Sequence, residues 1–434
     1  MKSIYKIVGI AILLSTATFL QAQIEKTKTF SGEFSDLSEL VINHRRGPLN
    51  VRKSKDGKTR YEAKVSIQTK DEESAAMMLE RMELKEDKFD KKMEVFTNFN
   101  IENWTTINGK TTIKFKDGTK VKGIKEVKIE MVVYVGKLEK LQLENKYDEI
   151  NIHDDLATNL SIELHSGKLR CVNYSGEVSM EMKYSKADLG NMVDLKMDIY
   201  DSDIVMGNAS KIQIESKYSS YEIGNLSELT GETYDDNFKL GNITGVLALE
   251  DKYSEFKMGS FKTGKLEFHD ADFEATNAEG VEIKSKYSEF KFTNVGAIEF
   301  ESSFDDNLKA EEVNVFSADS KYSEFVLKTV KESATLATSH DDELKIANLG
   351  ANFKLLKLDG KYTDLTVDIA AGTPFHLNID MTHGSVNFDK DSFETQIWKE
   401  KEASRKEIVG KSKGATEESG KIEILGYDNT ISLK

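Results

Sequence analysis

The dipeptide Lys-Tyr returns at 146–147, 183–184, 217–218, 252–253, 286–287, 321–322 and 361–362, so successive tyrosines stand 37, 34, 35, 34, 35 and 40 residues apart. A fixed spacing of tens of residues demands a solenoid, in which each repeat buries its apolar face only against its neighbours. A related corner lies midway between the tyrosines: His165-Ser166-Gly167, Tyr200-Asp201-Ser202, Tyr234-Asp235-Asp236, His269-Asp270-Ala271, Phe304-Asp305-Asp306, His340-Asp341-Asp342 and His383-Gly384-Ser385. Thirteen intervals cover the 236 residues from Tyr147 to His383, or about 18 residues per coil. That is the size of one turn of a β-solenoid.

Within a unit such as Val281 to Phe292, apolar and polar residues alternate, which is strand periodicity and not helix. Val281, Ile283, Ser285 and Tyr287 share one face of a first strand, Phe290 and Phe292 one face of a second, and the chain bends at Ser288-Glu289. A third column, Gly190-Asn191, Gly207-Asn208, Gly224-Asn225 and Gly241-Asn242, repeats every 17 residues and resumes at Thr276-Asn277 and Thr293-Asn294. Gly and Asn tolerate left-handed backbone, so this column predicts the turn closing each coil, with asparagine amides bonding along the stack. The fold expected is all-β: a single-stranded parallel β-helix, right-handed by the default for parallel crossovers.

The doubled period has an electrostatic rationale. Identical coils would stack like charges about 4.8 Å apart, a repulsion of about 3.5 kcal/mol at an effective dielectric near 20 and under about 1 kcal/mol in bulk water. Alternating corners interleave Lys217, Lys252, Lys286 and Lys321 with Asp235, Asp270, Asp305 and Asp341, which roughly doubles the distance between like charges.

Residues 1–22 pair Lys2 and Lys6 with an apolar run from Ile7 to Leu20 and a small residue, Ala22, so they are expected to be a secretory signal peptide cleaved after Ala22. Cys171 is the one cysteine, so no lipoprotein-type cysteine follows that site and no intrachain disulfide is available; Cys171 falls on the inward parity as a small buried hydrophobe. Without Lys2 and Lys6 the chain keeps 58 basic and 75 acidic side chains, a net charge of about −17 that disfavours nucleic acid and anionic membranes as partners. No later stretch is apolar enough to span a membrane. Export to the periplasm, cell surface or medium is the localisation expected.

Residues 23–140 are β-rich but less regular, with a corner at His44-Arg45-Arg46-Gly47 and a methionine-bearing helix expected over 72–84, and are assigned to an N-terminal cap and first coils. The methionines there are expected to be packing. The regular solenoid is assigned to 141–390. Residues 391–420 lose the alternation and are expected to be a charged mobile insertion, after which 421–434 restores a final coil. Pro48 and Pro374, the two prolines, fall outside the most regular stretch, as ladder hydrogen bonding requires.

Carboxylates stacked on a β-helix suggest calcium binding or glycan cleavage. The candidates are Asp235, Asp236, Asp305, Asp306, Asp341 and Asp342, with Asp270 and Asp272 beside them. A catalytic cluster should be local and break the repeat, whereas these recur coil after coil, so solvated turn residues are the expectation and calcium the alternative. The ring column from Tyr184 to Tyr362 is expected to be stacked and part-buried, with the tyrosine hydroxyls at the surface. His269 and His340 lie about four coils apart, about 19 Å at the usual spacing, too far to share a metal. No phosphate loop, nucleophile elbow or metal-ligand spacing is present, so neither a cofactor nor a catalytic residue is assigned.

The early corner Asn43-His44-Arg45-Arg46-Gly47, the segment Val135-Gly136-Lys137-Leu138 through Asn145-Lys146-Tyr147-Asp148-Glu149-Ile150 and the late run Pro374-Phe375-His376-Leu377 through Met381-Thr382-His383-Gly384 resemble the exported adhesin-like β-solenoid domains of unknown function common in Bacteroidetes. The resemblance covers most of the chain, implies adhesion by analogy and supplies no catalytic residues. The function expected is a non-enzymatic extracytoplasmic adhesin-like or scaffold solenoid whose partner is a protein or glycan at the cell surface or envelope. A carbohydrate-binding or glycan-processing β-helix is the second alternative, favoured by a groove beside a locally irregular coil, and a cell-envelope sensor the third.

Overall fold

The computed structural model describes residues 24–401 and 404–434, so the expected signal peptide lies outside them. The chain winds into a β-solenoid of about 13 turns with about 18 residues each and one short helix. A representative coil runs through the strand Ala209–Lys217, a corner at Tyr218-Ser219, the strand Ser220–Ile223 and a turn at Gly224-Asn225. Its two strands pair in parallel with Met192–Tyr200 and Asp203–Met206 on one side and with Leu226–Tyr234 and Asn237–Leu240 on the other. Alternation skips at Ser210-Lys211, both exposed, and the long strand bends there. From Asp272 onward Thr-Asn and later pairs replace Gly-Asn, and the two strands fuse across the column into single strands such as Asp272–Lys286 and Glu289–Phe304.

The interior is continuous. Val281, Ile283, Ser285, Phe290, Phe292 and Cys171 are all buried. Large rings fill successive coils, with Tyr221 stacked on Phe238 at 4.4 Å and Phe238 on Phe256 at 4.9 Å. At about 25 cal/mol per Å² such burial dominates the stabilisation of a repeat that has no disulfide.

The Asn column differs from expectation in its backbone. Gly207, Gly224 and their asparagines do not adopt positive φ; the glycines serve close approach instead. A Cβ on Gly207 would lie 2.5 Å from Asn191 Oδ1. That oxygen accepts from the Asn208 amide at 2.9 Å, and the same bond joins Asn173 to Asn191, Asn208 to Asn225, and Asn225 to Asn242.

Both ends are closed by departures from simple winding. The coil Glu39–Lys53 stacks directly on Lys140–Ile152, and the intervening residues fold outward as a cap. Strand Lys92–Phe96 pairs with Glu39–Arg45, and the end of Lys120–Val135 pairs with Leu49–Lys53, covering the open edge. Helix Glu72–Arg81 starts at an Asp71 cap and ends three residues before the expected boundary; Met78 and Met82 pack in a separate core with Phe99, Ile113 and Ile124.

At the far end the last stretch of sequence does not end the stack. Strand Gly420–Tyr427 lies between Leu355–Lys361 and Phe375–Thr382, and Thr430–Leu433 lies between Asp364–Ile369 and Ser385–Asn387. Residues 391–420, expected as a mobile loop, instead form the strands Phe393–Lys401 and Arg405–Ser412, antiparallel to each other, and Arg405–Ser412 also pairs antiparallel with Phe375–Thr382. The charges hide a strand pattern whose inward members include Ile408 and Gly410. This hairpin covers an edge that would otherwise present unpaired backbone to another chain.

Candidate functional site

Each corner places its second residue in the left-handed region. In the Lys-Tyr coils this is the tyrosine, with φ between +54° and +72°; in the intervening coils it is Ser166, Asp201, Asp235, Asp270, Asp305 or Asp341, and in the last of them His383. A bulky residue there costs roughly 1–2 kcal/mol. The turn also ends the strand's parity, so the Lys-Tyr rings point outward: Tyr287 is 47% exposed, and its six equivalents are similar. That corrects the expectation of part-buried tyrosines following the inward aliphatics.

The rings join into one ladder. Fourteen edge-to-face contacts, with centroids 5.2–5.9 Å apart and planes at 65–84°, run from Tyr147 through Tyr362 to Tyr427 and His383. Rings come alternately from the left-handed position and from the residue before it. Tyr218, for example, sits between Tyr200 and Tyr234. This offset gives the doubled period a second cause, because identical corners would hold rings face to face at coil spacing, whereas offset corners allow the preferred edge contact, worth about 0.5–1.5 kcal/mol each. At the N-terminal end Arg46 lies over Tyr147 at 5.5 Å and over Trp104 at 5.0 Å.

The residue after each left-handed position turns inward. There the buried residues Ser185, Ser202, Ser219, Asp236, Ser254, Ser288, Asp306, Ser323 and Asp342 form a ladder. The Ser185 amide donates to Ser202 Oγ at 3.0 Å, Ser219 to Asp236 Oδ1 at 2.6 Å, Ser288 to Asp306 Oδ1 at 2.8 Å and Ser323 to Asp342 Oδ1 at 2.8 Å.

The six acidic candidates therefore divide. Asp235, Asp305 and Asp341 are exposed at the left-handed position, as expected of turn residues. Asp236, Asp306 and Asp342 are buried and accept from serine hydroxyls and backbone amides, which corrects their assignment as solvated. Burial raises the carboxyl of Asp236 to about 7 and shifts Asp251 and Asp306 upward. The signal was present in the sequence, since each second Asp occupies the column that Ser fills in other coils. The pairs sit coils apart, and among the described residues no group of three His, Cys, Asp or Glu side chains has metal-holding geometry. His269 and His340 occupy separate rungs of the ring ladder.

A further column went unrecognised. Lateral pairing puts Glu144, Glu163, Glu181, Asp198, Glu215, Glu232, Glu250 and Glu267 side by side, ending at Lys284. Each lies two residues before its corner, legible once the corners are aligned. Charge alternation thus holds at the corners and fails here, at positions wet enough for the repulsion to fall below about 1 kcal/mol per pair. Over the last four glutamates the surface forms a groove of about 660 Å³. Beside it, in the inward column, Gly231 stands between the buried Ile214 and Leu249; at φ +152° its Cβ would fall 1.8 Å from the Ile214 carbonyl. The ladders beside it shift register between Leu226 and Leu229 and between Ile243 and Val246.

No protein-family model matches the chain, and no curated protein matches it in sequence. Solved structures similar to it include a "putative adhesin" from Bacteroides fragilis, 10% identical over 68% of this chain and 97% of that one, with a TM-score of 0.21. A "putative cell adhesion protein" from Clostridium sporogenes is 12% identical over 94% and 99%, with a TM-score of 0.16. A "Putative lipid binding protein" from Parabacteroides distasonis is 12% identical over 69% and 96%, with a TM-score of 0.23. The adhesin names match the class that the sequence resembles; at these identities and TM-scores the likeness carries no argument about activity.

Proposed function

We propose that this chain is an exported, non-enzymatic, adhesin-like scaffold that holds its partner along the corner carrying the ring ladder. The observation behind this is the exposure of seven left-handed tyrosines, each near half accessible, along one edge of a rigid stack. A buried or scattered set would need no explanation, but large apolar groups aligned on one solvent-facing edge mark a contact surface. Repetition at every second coil suits a partner that repeats, because linked weak contacts multiply in affinity. Among the described residues no helix is long and apolar enough to cross a membrane.

Cell fractionation and whole-cell binding test the proposal together. The mature protein, lacking residues 1–22, should appear outside the cytoplasm and bind cells or envelope fragments. Recovery from the cytoplasm with the leader intact, or binding unchanged after Tyr218, Tyr253 and Tyr287 are replaced by Asn, would sink it.

The groove beside the irregular coils at Gly231 is the specific observation favouring the second alternative, a carbohydrate-binding β-helix.

A further inference from the structure

We infer that the groove spanning Glu215 to Lys286 binds an extended, uncharged polysaccharide laid across the coils. The inference rests on the contact function proposed above, since it takes the groove to hold a sugar chain without cutting it.

Size comes first. The groove's volume of about 660 Å³ falls within the 300–1,000 Å³ typical of ligand sites, and it crosses about five coils, so it suits a linear oligomer better than a compact metabolite.

Charge selects the class. The last four glutamates of the acidic column meet Lys217, Lys252, Lys284 and Lys286 in the same lining, so the exposed formal charge cancels. A polyanion would face the glutamates and a polycation the lysines. An uncharged polyol meets no net field yet finds charged acceptors and donors at every coil, and hydrogen bonds to charged partners are roughly twice as strong as neutral ones. Asp251 lies beneath the groove, buried, and takes a 2.6 Å bond from the Thr233 hydroxyl, so it is not among the exposed charges.

Shape adds the third element. Tyr234 and His269 stand in the wall between the lysines, and Tyr253 bridges them at 5.3 and 5.8 Å, which supplies an apolar ledge beside the polar floor. Sugar rings have this same division into an apolar face and a hydroxyl rim. The four glutamates occupy equivalent rungs, and none is set apart as acid or nucleophile as glycoside hydrolysis requires.

The test is calorimetric titration of the full mature chain with a panel of uncharged hexasaccharides, the corresponding uronate oligomers and poly-L-lysine. Uncharged oligomers should bind, and uronates and poly-L-lysine at least about tenfold more weakly. The pair Glu232→Ala and Lys252→Ala should lower affinity for the uncharged ligand about tenfold without moving the melting temperature, whereas Lys345→Ala, on a distant coil, should leave affinity unchanged. Equal or tighter binding of the uronates or of poly-L-lysine overturns the inference. So does silence across the uncharged panel while whole-cell binding persists, and that outcome leaves the contact function standing. Shortening of a bound oligosaccharide overturns the contact function itself.

Discussion

The backbone amide of Ser219 donates to Oδ1 of Asp236 across 2.6 Å, from one coil to the next, in a position where neighbouring coils use a serine hydroxyl. The carboxyl is thereby enclosed by donors, and burial raises its pKa to about 7, with the nearby charge of Asp251 adding to the shift. The folded pKa exceeds the unfolded value near 3.9. The folded state therefore binds more protons, and stability is fully present below about pH 4 and is lost as pH climbs toward 7. Asn429 shows that an amide fits the same position, its Oδ1 accepting from Thr363 and its Nδ2 donating to Gly360. Asp236→Asn should accordingly raise the melting temperature at pH 8 and change it little at pH 4. A variant less stable than the parent at pH 8 would count against the buried, proton-binding assignment.

Phe290 and Tyr287 are three residues apart on opposite sides of the sheet. Phe290→Asp buries a charge among Phe268, Phe273 and Phe300 and should cost several kcal/mol. Tyr287→Phe removes only an exposed hydroxyl, keeps the contacts to His269 and Phe304, and should cost about 1 kcal/mol or less. Denaturant melts compare the two, and equal shifts would refute the inward and outward assignment.

Glycine matters by place. A Cβ at Gly207 would displace Asn191 Oδ1 from the Asn208 amide, and Gly207→Ala should cost roughly 1–3 kcal/mol. Gly280 has its nearest such neighbour at 4.0 Å, so Gly280→Ala should be neutral or slightly stabilising. The reverse order in a thermal melt would contradict the Asn ladder.

Removal of residues 420–434 tests the inserted coil. It deletes buried Ile422, Ile424, Ile431 and Leu433 from between two other coils, a loss of about 1.5–3 kcal/mol for each side chain. Limited proteolysis should then cut within 370–419 and spare 141–361. An unchanged digestion pattern would show that the last coil is dispensable.

The repeat length, the inward aliphatics and the corner positions were legible because period two and period 18 are written in residue order. Tyr287 was misplaced because strand parity stops at a left-handed residue, and nothing in the residues before it announces that stop. The Asp pairs were legible as corners but not as half-buried, since the second member's role emerges only when Asp236 is aligned with Ser219 and Ser254. The insertion of Gly420–Tyr427 inside the stack escaped notice because parallel coils are locally alike, and order along the axis is set by which edges remain open rather than by any motif.

The most direct test of the contact function is saturation binding of the purified mature protein to whole cells, compared with the triple variant Tyr218→Asn, Tyr253→Asn and Tyr287→Asn. Asparagine tolerates the left-handed backbone, so the corners should persist while three exposed rings disappear. The expected result is a folded protein, with unaltered far-ultraviolet circular dichroism, whose cell binding falls at least about tenfold. A folded variant that binds as well as the parent would contradict the claim that the ring ladder is the contact surface.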